Sequence, residues 1–405
     1  MKNRIRMISL GSLLLVQAAI LNAEYTETMN PKGLMRDLRT DYGVDGKGAG
    51  NDSAKLQQAI DDVAHEGGGR VLVPKGIYHV AGVDLRSDVH LLFDKGAIVH
   101  PYIEGSVQKM TMFHMGVNCD RVVNTSIRGV GGQFTVQIPK RSPGMTVIRC
   151  AYVKNFLISN IRINDARSVY SSLAFGLSGP NGRLEGYPED GTVENASAYD
   201  SHYGYGLVQT QAAKSVLFRN LYSEGGVALR LETGWNRMND LQVGGVQDIT
   251  GKNIFAKNGH CAVLAGPHAM QNGVITVDGI RSESCGFAVK VGGGYVNKHQ
   301  KNPNIRPGTF AAGSSLKNIH AVFGTNAQLK DKDVRMLPDA LQEQVRTDAD
   351  SGGISRGPSV AAVLNTAPYP IEVRNVTYEG FKFGPAVLKM TREEAFRRRN
   401  EEKKR

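Results

Sequence analysis

Four short runs of small and aliphatic residues, at 205–209, 228–232, 262–266 and 288–292, follow one another at broadly similar intervals. This recurrence constrains the chain more than any other feature. If each run is one strand of a coil, no single coil can bury its own apolar face, and the coils must stack as a solenoid. Side chains alternate along a strand, so Leu229 and Leu231 face inward while Arg230, Glu232 and position 234 face outward. Chemistry therefore belongs to the outward row. The composition agrees, because 47 glycines among 405 residues and only 7% aromatic residues suit tightly turned β structure better than a helical protein.

From Thr40 the chain runs through a turn into a helical pattern with Leu56, Ile60 and Val63 on one face and Asp52 or Ser53 as cap. Short strands broken by glycine follow, at 71–73, 76–78 and 89–97. This order closely resembles the opening of pectin-lyase-like right-handed β-helices, in which the helix covers the exposed edge and core of the first coil. The expectation is an all-β chain: a single right-handed parallel β-helix over 24–390 with an N-terminal capping helix, its core the inward columns of Leu229, Leu231, Val263 and Val289. An Asn or Asp precedes an aliphatic residue at Asn160, Asn195, Asn220, Asn253, Asp278, Asn318 and Asn375. These residues are assigned to a turn ladder hydrogen-bonded along the axis, a structural role.

Residues 1–23 read as an export signal. Lys2, Arg4 and Arg6 precede an apolar stretch from Met7 to Ile20, which is too short to span a bilayer comfortably, and Ala23 offers a small residue for cleavage. A secreted or periplasmic protein without a membrane anchor is expected. The formal charge is +11, but the start supplies three of those charges and the tail after position 391 a net three, leaving about +5 for the body. That mild field favours an anionic partner without calling for nucleic acid. The charged tail 391–405 is read as a solvated helix without function. Residues 326–358 interrupt the coil pattern and are read as an insertion, a solvated excursion in preference to a lid on the groove. The separation of Cys261 and Cys285 is close to one coil, which allows neighbouring rungs and either a disulfide or a buried thiol pair. No CxxC or Cys/His cluster is present, so no metal ligands are assigned.

Aligning the four runs places Leu207, Arg230, Leu264 and Lys290 in one outward column. Gln209, Glu232, Gly266 and Gly292 form the next, and Gln211, Gly234, His268 and Gly294 the third. A carboxylate, an amide, an imidazole and two cations thus converge among glycines that open the floor of a groove. Arg230 and Lys290, with Arg237 just beyond, are candidate ligands for sulfate or carboxylate groups. Tyr205 joins them as a substrate-binding residue.

The run YGLVQT, then GGVALRLETG, GGVQDI, the stretch from Asn258 to Gly279 and CGFAVKV resemble the glycoside hydrolases that cut iota-carrageenan. The resemblance implies hydrolysis of a sulfated galactan with inversion at the anomeric carbon. It implies Glu232 as general acid, with Gln209 and His268 assisting. No cofactor is expected to be required, there is room for structural calcium or chloride, and a monomer is expected. One departure stands out. The family motif ends Glu-Thr-Asp, the aspartate serving as base, whereas here it reads Glu232-Thr233-Gly234. Two positions apart on a strand would put the carboxyls about 6.5–7 Å apart, enough for a water. With Gly234 in place, His268 is the first candidate for base, and Glu232, among aliphatic neighbours, for an acid with raised pKa. Two other classes stay open: a polysaccharide lyase acting on an anionic glycan, and a glycan-binding β-helix that has lost catalysis.

Overall fold

The computed structural model describes residues 24–140, 142–348 and 354–401. Twenty-two strands form one sheet whose pairings are all parallel, each strand beside its counterpart one coil on. The coils wind into the right-handed β-helix expected for strands joined by parallel crossovers. One inward ladder runs Leu173, Val208, Leu229, Val263, Val289 and Val363, and ends at the exposed Val387 of the last rung. Another, on the opposite wall, runs Ile158, Val193, Phe218, Gly251, Val277 and Leu316. Every rung sits on another, so each buried Val, Leu or Phe removes its surface from water, about 1.5–3 kcal/mol apiece before the entropy of ordering is charged against it.

The asparagine ladder is present as expected. Asn195 donates to Asn160 at 3.2 Å, Asn220 to Asn195 at 3.0 Å, Asn253 to Asn220 at 3.1 Å and Asn375 to Asn318 at 2.9 Å. Each of these residues has a positive φ, from 50° at Asn195 to 55° at Asn253, the left-handed region in which Asn is the best tolerated residue after Gly. A second left-handed column, Asp88, Asn124 and Asn155, bends another corner and is not legible in the sequence.

The helix Ser53–His65 buries Leu56, Ala59, Ile60 and Val63 over the first coil. Asp52 takes the N-cap position, but its carboxylate accepts from the His79 amide instead of capping the helix. Outside the coils, Glu27 pairs with Arg128 at 2.7 Å and the Thr26 amide donates to Asn155, strapping the segment at 25–29 to the solenoid. The export-signal segment lies outside the described residues.

The insertion and the tail depart from expectation, and of the two cysteine readings the buried thiols hold. The insertion is not a solvated excursion. It folds as a three-stranded antiparallel sheet, Ala327–Leu329, Arg346–Thr347 and Ser355–Gly357, with two short helices, Asp331–Val334 and Asp339–Gln342. Gln328 bonds the Gly226 amide and the Ser201 carbonyl of the coils beneath, which draws the insertion down onto them. The cysteines are unpaired, with Cys261 and Cys285 both buried. Register explains this, because the residue beside Cys261 on the next rung is Phe287. The tail also docks: Ala395 of the helix Arg392–Glu401 is buried, and Arg392 stacks on Tyr295 with its guanidinium 3.8 Å from the ring centroid.

Candidate active site

The outward faces of the strands Ala212–Glu232, Cys261–Gly266 and Phe287–Val291 line a cleft of about 280 Å³. Register within it is fixed by backbone pairing: Arg230 beside Leu264 and Leu264 beside Lys290, with Glu232 beside Gly266. A Cβ at Gly266 would stand 3.1 Å from the Glu232 Cγ, so the glycine leaves the space that the glutamate side chain occupies.

Buried polar side chains hold the motif against the next coil. The Thr233 hydroxyl donates to the Pro267 carbonyl at 2.8 Å and its amide to the Gly266 carbonyl at 3.1 Å. Asn239 donates to the Thr233 carbonyl and accepts from the Ala269 amide. These bonds clamp 232–234 to 266–269, and they bring His268 over Gly234. His268 has φ +46°, a conformation uncommon for a side chain with a Cβ, held here by its carbonyl accepting from both the Tyr295 and Gly308 amides.

Glu232 is bound from two sides. Arg230 donates to Oε2 from Nε at 2.5 Å and also from Nη2, and His268 Nε2 donates to Oε1 at 3.1 Å. Burial pulls the Glu232 carboxyl up, but the Arg230 charge and the His268 hydrogen bond outweigh it, and the pKa falls to about 2. The acid with raised pKa that the aliphatic surroundings suggested is therefore an ionised carboxylate in the free protein. The expected division of labour with His268 changes too. An acid and a base flanking one water in an inverting enzyme stand about 6.5–9.5 Å apart, and these two groups share a hydrogen bond instead.

A second ionic group lies at the wall of the cleft. Lys290 Nζ is 3.2 Å from Oδ1 of Asp333, a fully buried residue of the insertion, and 3.4 Å from His260 Nε2. The Tyr203 hydroxyl donates to Asp333 Oδ2 at 2.6 Å. Burial would raise the Asp333 pKa, but Lys290 and its other neighbours hold it below the usual carboxylate range. Burial, and then the Lys290 charge, keep His260 neutral.

Of the residues expected at the site, Glu232, His268, Arg230, Lys290 and Tyr205 do converge on the cleft, Tyr205 with its ring centroid 5.8 Å from the Arg230 guanidinium carbon. Gln209 does not share the Glu232 column. It pairs with Arg230, because the corner before it carries extra residues and the register shifts between Ser201 and Gly206. Arg237 sits on the helix Asn236–Leu241 and reaches only the Gly182 carbonyl, at 3.5 Å, away from the cleft lining. Sequence reasoning missed Tyr203, His260, Tyr295, Lys330 and Lys332, all of which line the cleft. Tyr295 follows three glycines directly after a recognised strand, a signal that could have found it. Nothing local marks the lysines, whose position depends on how the insertion packs. Among the described residues, no group of three or more His, Cys, Asp or Glu side chains is placed to hold a metal ion.

No family model matches the chain. It is 30% identical to an iota-carrageenase of Zobellia galactanivorans over 417 residues, covering 87% of this chain and 84% of that protein. It is 37% identical over 262 residues to an iota-carrageenase of Alteromonas macleodii, a match spanning 64% of this chain and about half, 53%, of that longer protein. Among solved structures, an iota-carrageenase complexed to iota-carrageenan fragments superposes with a TM-score of 0.84 at 29% identity, covering 95% of both chains.

Proposed function

Because the chain belongs to the iota-carrageenase family of glycoside hydrolases, we propose that it hydrolyses O-glycosyl bonds of a sulfated galactan of iota-carrageenan type, outside the cytoplasm. The observation that carries this reading is Glu232. It is the one carboxylate among the described residues lining the cleft, and it is held by a guanidinium and an imidazole. Glu232 is assigned as proton donor to the leaving oxygen. For that role it must first be protonated, and substrate supplies the means. A sulfate oxygen competes with the carboxylate for the Arg230 donors, and once Arg230 turns to it, burial is opposed by His268 alone and the Glu232 pKa rises. His268, as the imidazolium, can pass its Nε2 proton across the 3.1 Å hydrogen bond to Oε1 and is left a neutral imidazole. His268 is thus proton carrier to the acid, and Tyr205 flanks Arg230 on the substrate side. Inversion is the expected stereochemistry, because among the described residues the cleft lining offers no second carboxylate at the roughly 5–5.5 Å that a retaining nucleophile needs.

A second reading, glycan binding without hydrolysis, is favoured by one observation, that both Glu232 oxygens are engaged and the carboxylate is ionised. One assay separates the two: release of reducing ends from iota-, kappa- and lambda-carrageenan, with product anomers followed by NMR. Hydrolysis of iota-carrageenan is expected, and Glu232→Gln should lower kcat by at least about a hundredfold with the fold intact. Near-normal turnover in that variant would remove the acid assignment, and absence of new reducing ends in the wild type would leave the binding reading.

A further inference from the structure

We propose that the segment of the insertion at 327–334 is the sulfate-reading wall of the cleft and that Lys330 is its specificity-determining residue, an inference that rests on the sulfated-glycan reading above. Arg230, Lys290, Lys330 and Lys332 bring positive charge to the cleft. Two of them are neutralised within the protein itself. Arg230 is bound by Glu232 and by the Gly204 carbonyl, and Lys290 by buried Asp333. These are two of the three cations that sequence position marks as substrate ligands, the third, Arg237, lying away from the cleft. Lys330 differs from both. It is exposed, it lines the cleft, and among the described residues no carboxylate lies within ion-pair distance of its ammonium. Its Nζ stands 4.9 Å from the centroid of the Tyr203 ring, which supports the charge from below without satisfying its three N–H donors.

The position of that ammonium is built. The Lys330 amide donates to Asp333 Oδ2 at 3.2 Å, and the same oxygen accepts from the Tyr203 hydroxyl at 2.6 Å. The other Asp333 oxygen receives Lys290. One buried carboxylate therefore binds the backbone that carries Lys330, the aromatic face beneath its ammonium, and the lysine of the coil wall. Lys290 is in this sense a positioning residue, and the charge offered to a substrate anion is Lys330. An ammonium with open donors carried on an anchored backbone, facing a cleft whose lining has a surplus of positive charge, is matched by a sulfate ester on a sugar ring.

The test compares Lys330→Gln, Lys330→Arg and, as a control for bulk charge, Lys214→Gln, an exposed lysine outside the cleft. Binding of iota-carrageenan oligosaccharides, and of the same oligosaccharides after chemical desulfation, is read by affinity electrophoresis, which requires no turnover. Steady-state kinetics on iota-carrageenan run alongside. Lys330→Gln should weaken binding of the sulfated ligand and raise KM about tenfold at low salt, with kcat within about twofold of wild type. The loss should shrink at about 0.5 M salt, Lys330→Arg should recover most of it, and desulfated ligand should not distinguish the variants. Unchanged affinity in Lys330→Gln, or equal losses on sulfated and desulfated ligand, overturns the proposal. Wild-type binding without turnover would retire the hydrolase reading and leave the Lys330 comparison decisive. Failure of the wild type to bind the sulfated ligand would overturn both.

Discussion

Gly234 and the His268 imidazole compete for one space. A Cβ at Gly234 would stand 2.7 Å from His268 Nε2, closer than real contacts allow, so a side chain there must push the ring away. The ring is also what binds Glu232 Oε1. Restoring the family's aspartate by Gly234→Asp should therefore cost a hydrogen bond before it supplies a base, and the single variant is expected to fall below wild type. In the His268→Ala background the clash is gone. There Gly234→Asp should raise kcat/KM by at least about tenfold over His268→Ala alone, since general-base catalysis is typically worth about a hundredfold or more. A double-mutant cycle on iota-carrageenan measures this coupling, and additive effects would show that the two positions do not share the space. The Arg230 and His268 contacts also explain why burial, which alone raises a carboxyl pKa, ends here with Glu232 at about 2.

The asparagine ladder is the element on which coil register depends. Asn220 donates to Asn195, accepts from Asn253 and sits at φ +53°. Asn220→Ala removes both bonds and leaves a Cβ-bearing residue without a local hydrogen bond in the left-handed region, together about 2–4 kcal/mol. Denaturant unfolding should register that loss as a lower midpoint, and a change below about 0.5 kcal/mol, the size of an ordinary surface substitution, would show that the ladder contributes nothing. Asn220→Gly should recover the backbone part alone. The insertion follows a different logic. Its charge pair is buried, so removing one partner would leave an uncompensated charge. Asp333 and Gln328 set where the wall stands, and through it where Lys330 points.

At the scale of the whole solenoid, the interior holds, among the described residues, one uncompensated acid. Asp165 is fully buried, and burial followed by the nearby Asp200 charge pushes its pKa well above the carboxylate range, against a smaller pull from the His202 backbone amide. The folded state then keeps a proton that the unfolded chain has lost, so stability falls as pH rises above the unfolded value of about 4 toward the raised folded value. Asp165→Asn should remove that dependence. Its melting temperature should exceed wild type by an amount that grows from pH 5 to pH 8, and a constant or inverted difference would place the proton elsewhere. The recurrence at 205–292 determined the solenoid, and alternation along each strand determined which residues face out, since period and alternation are properties of the chain itself. Asparagines before aliphatic residues likewise marked their corner, because a left-handed backbone selects that residue locally. Glu232, His268 and Arg230 could be named for the same reason, each lying on a recognisable strand or just beyond one. Tertiary structure alone decided their electrostatics and their partners. The Gln209 register turned on how many residues one corner holds, and the state of Glu232 on a guanidinium from its own strand and an imidazole from the next coil. Two of the cleft's cations, Lys330 and Lys332, came from an insertion far along the chain from the coils it packs against. Those outcomes depend on distances between segments that fold independently of local pattern, and a sequence carries no measure of such distances until the coils are stacked.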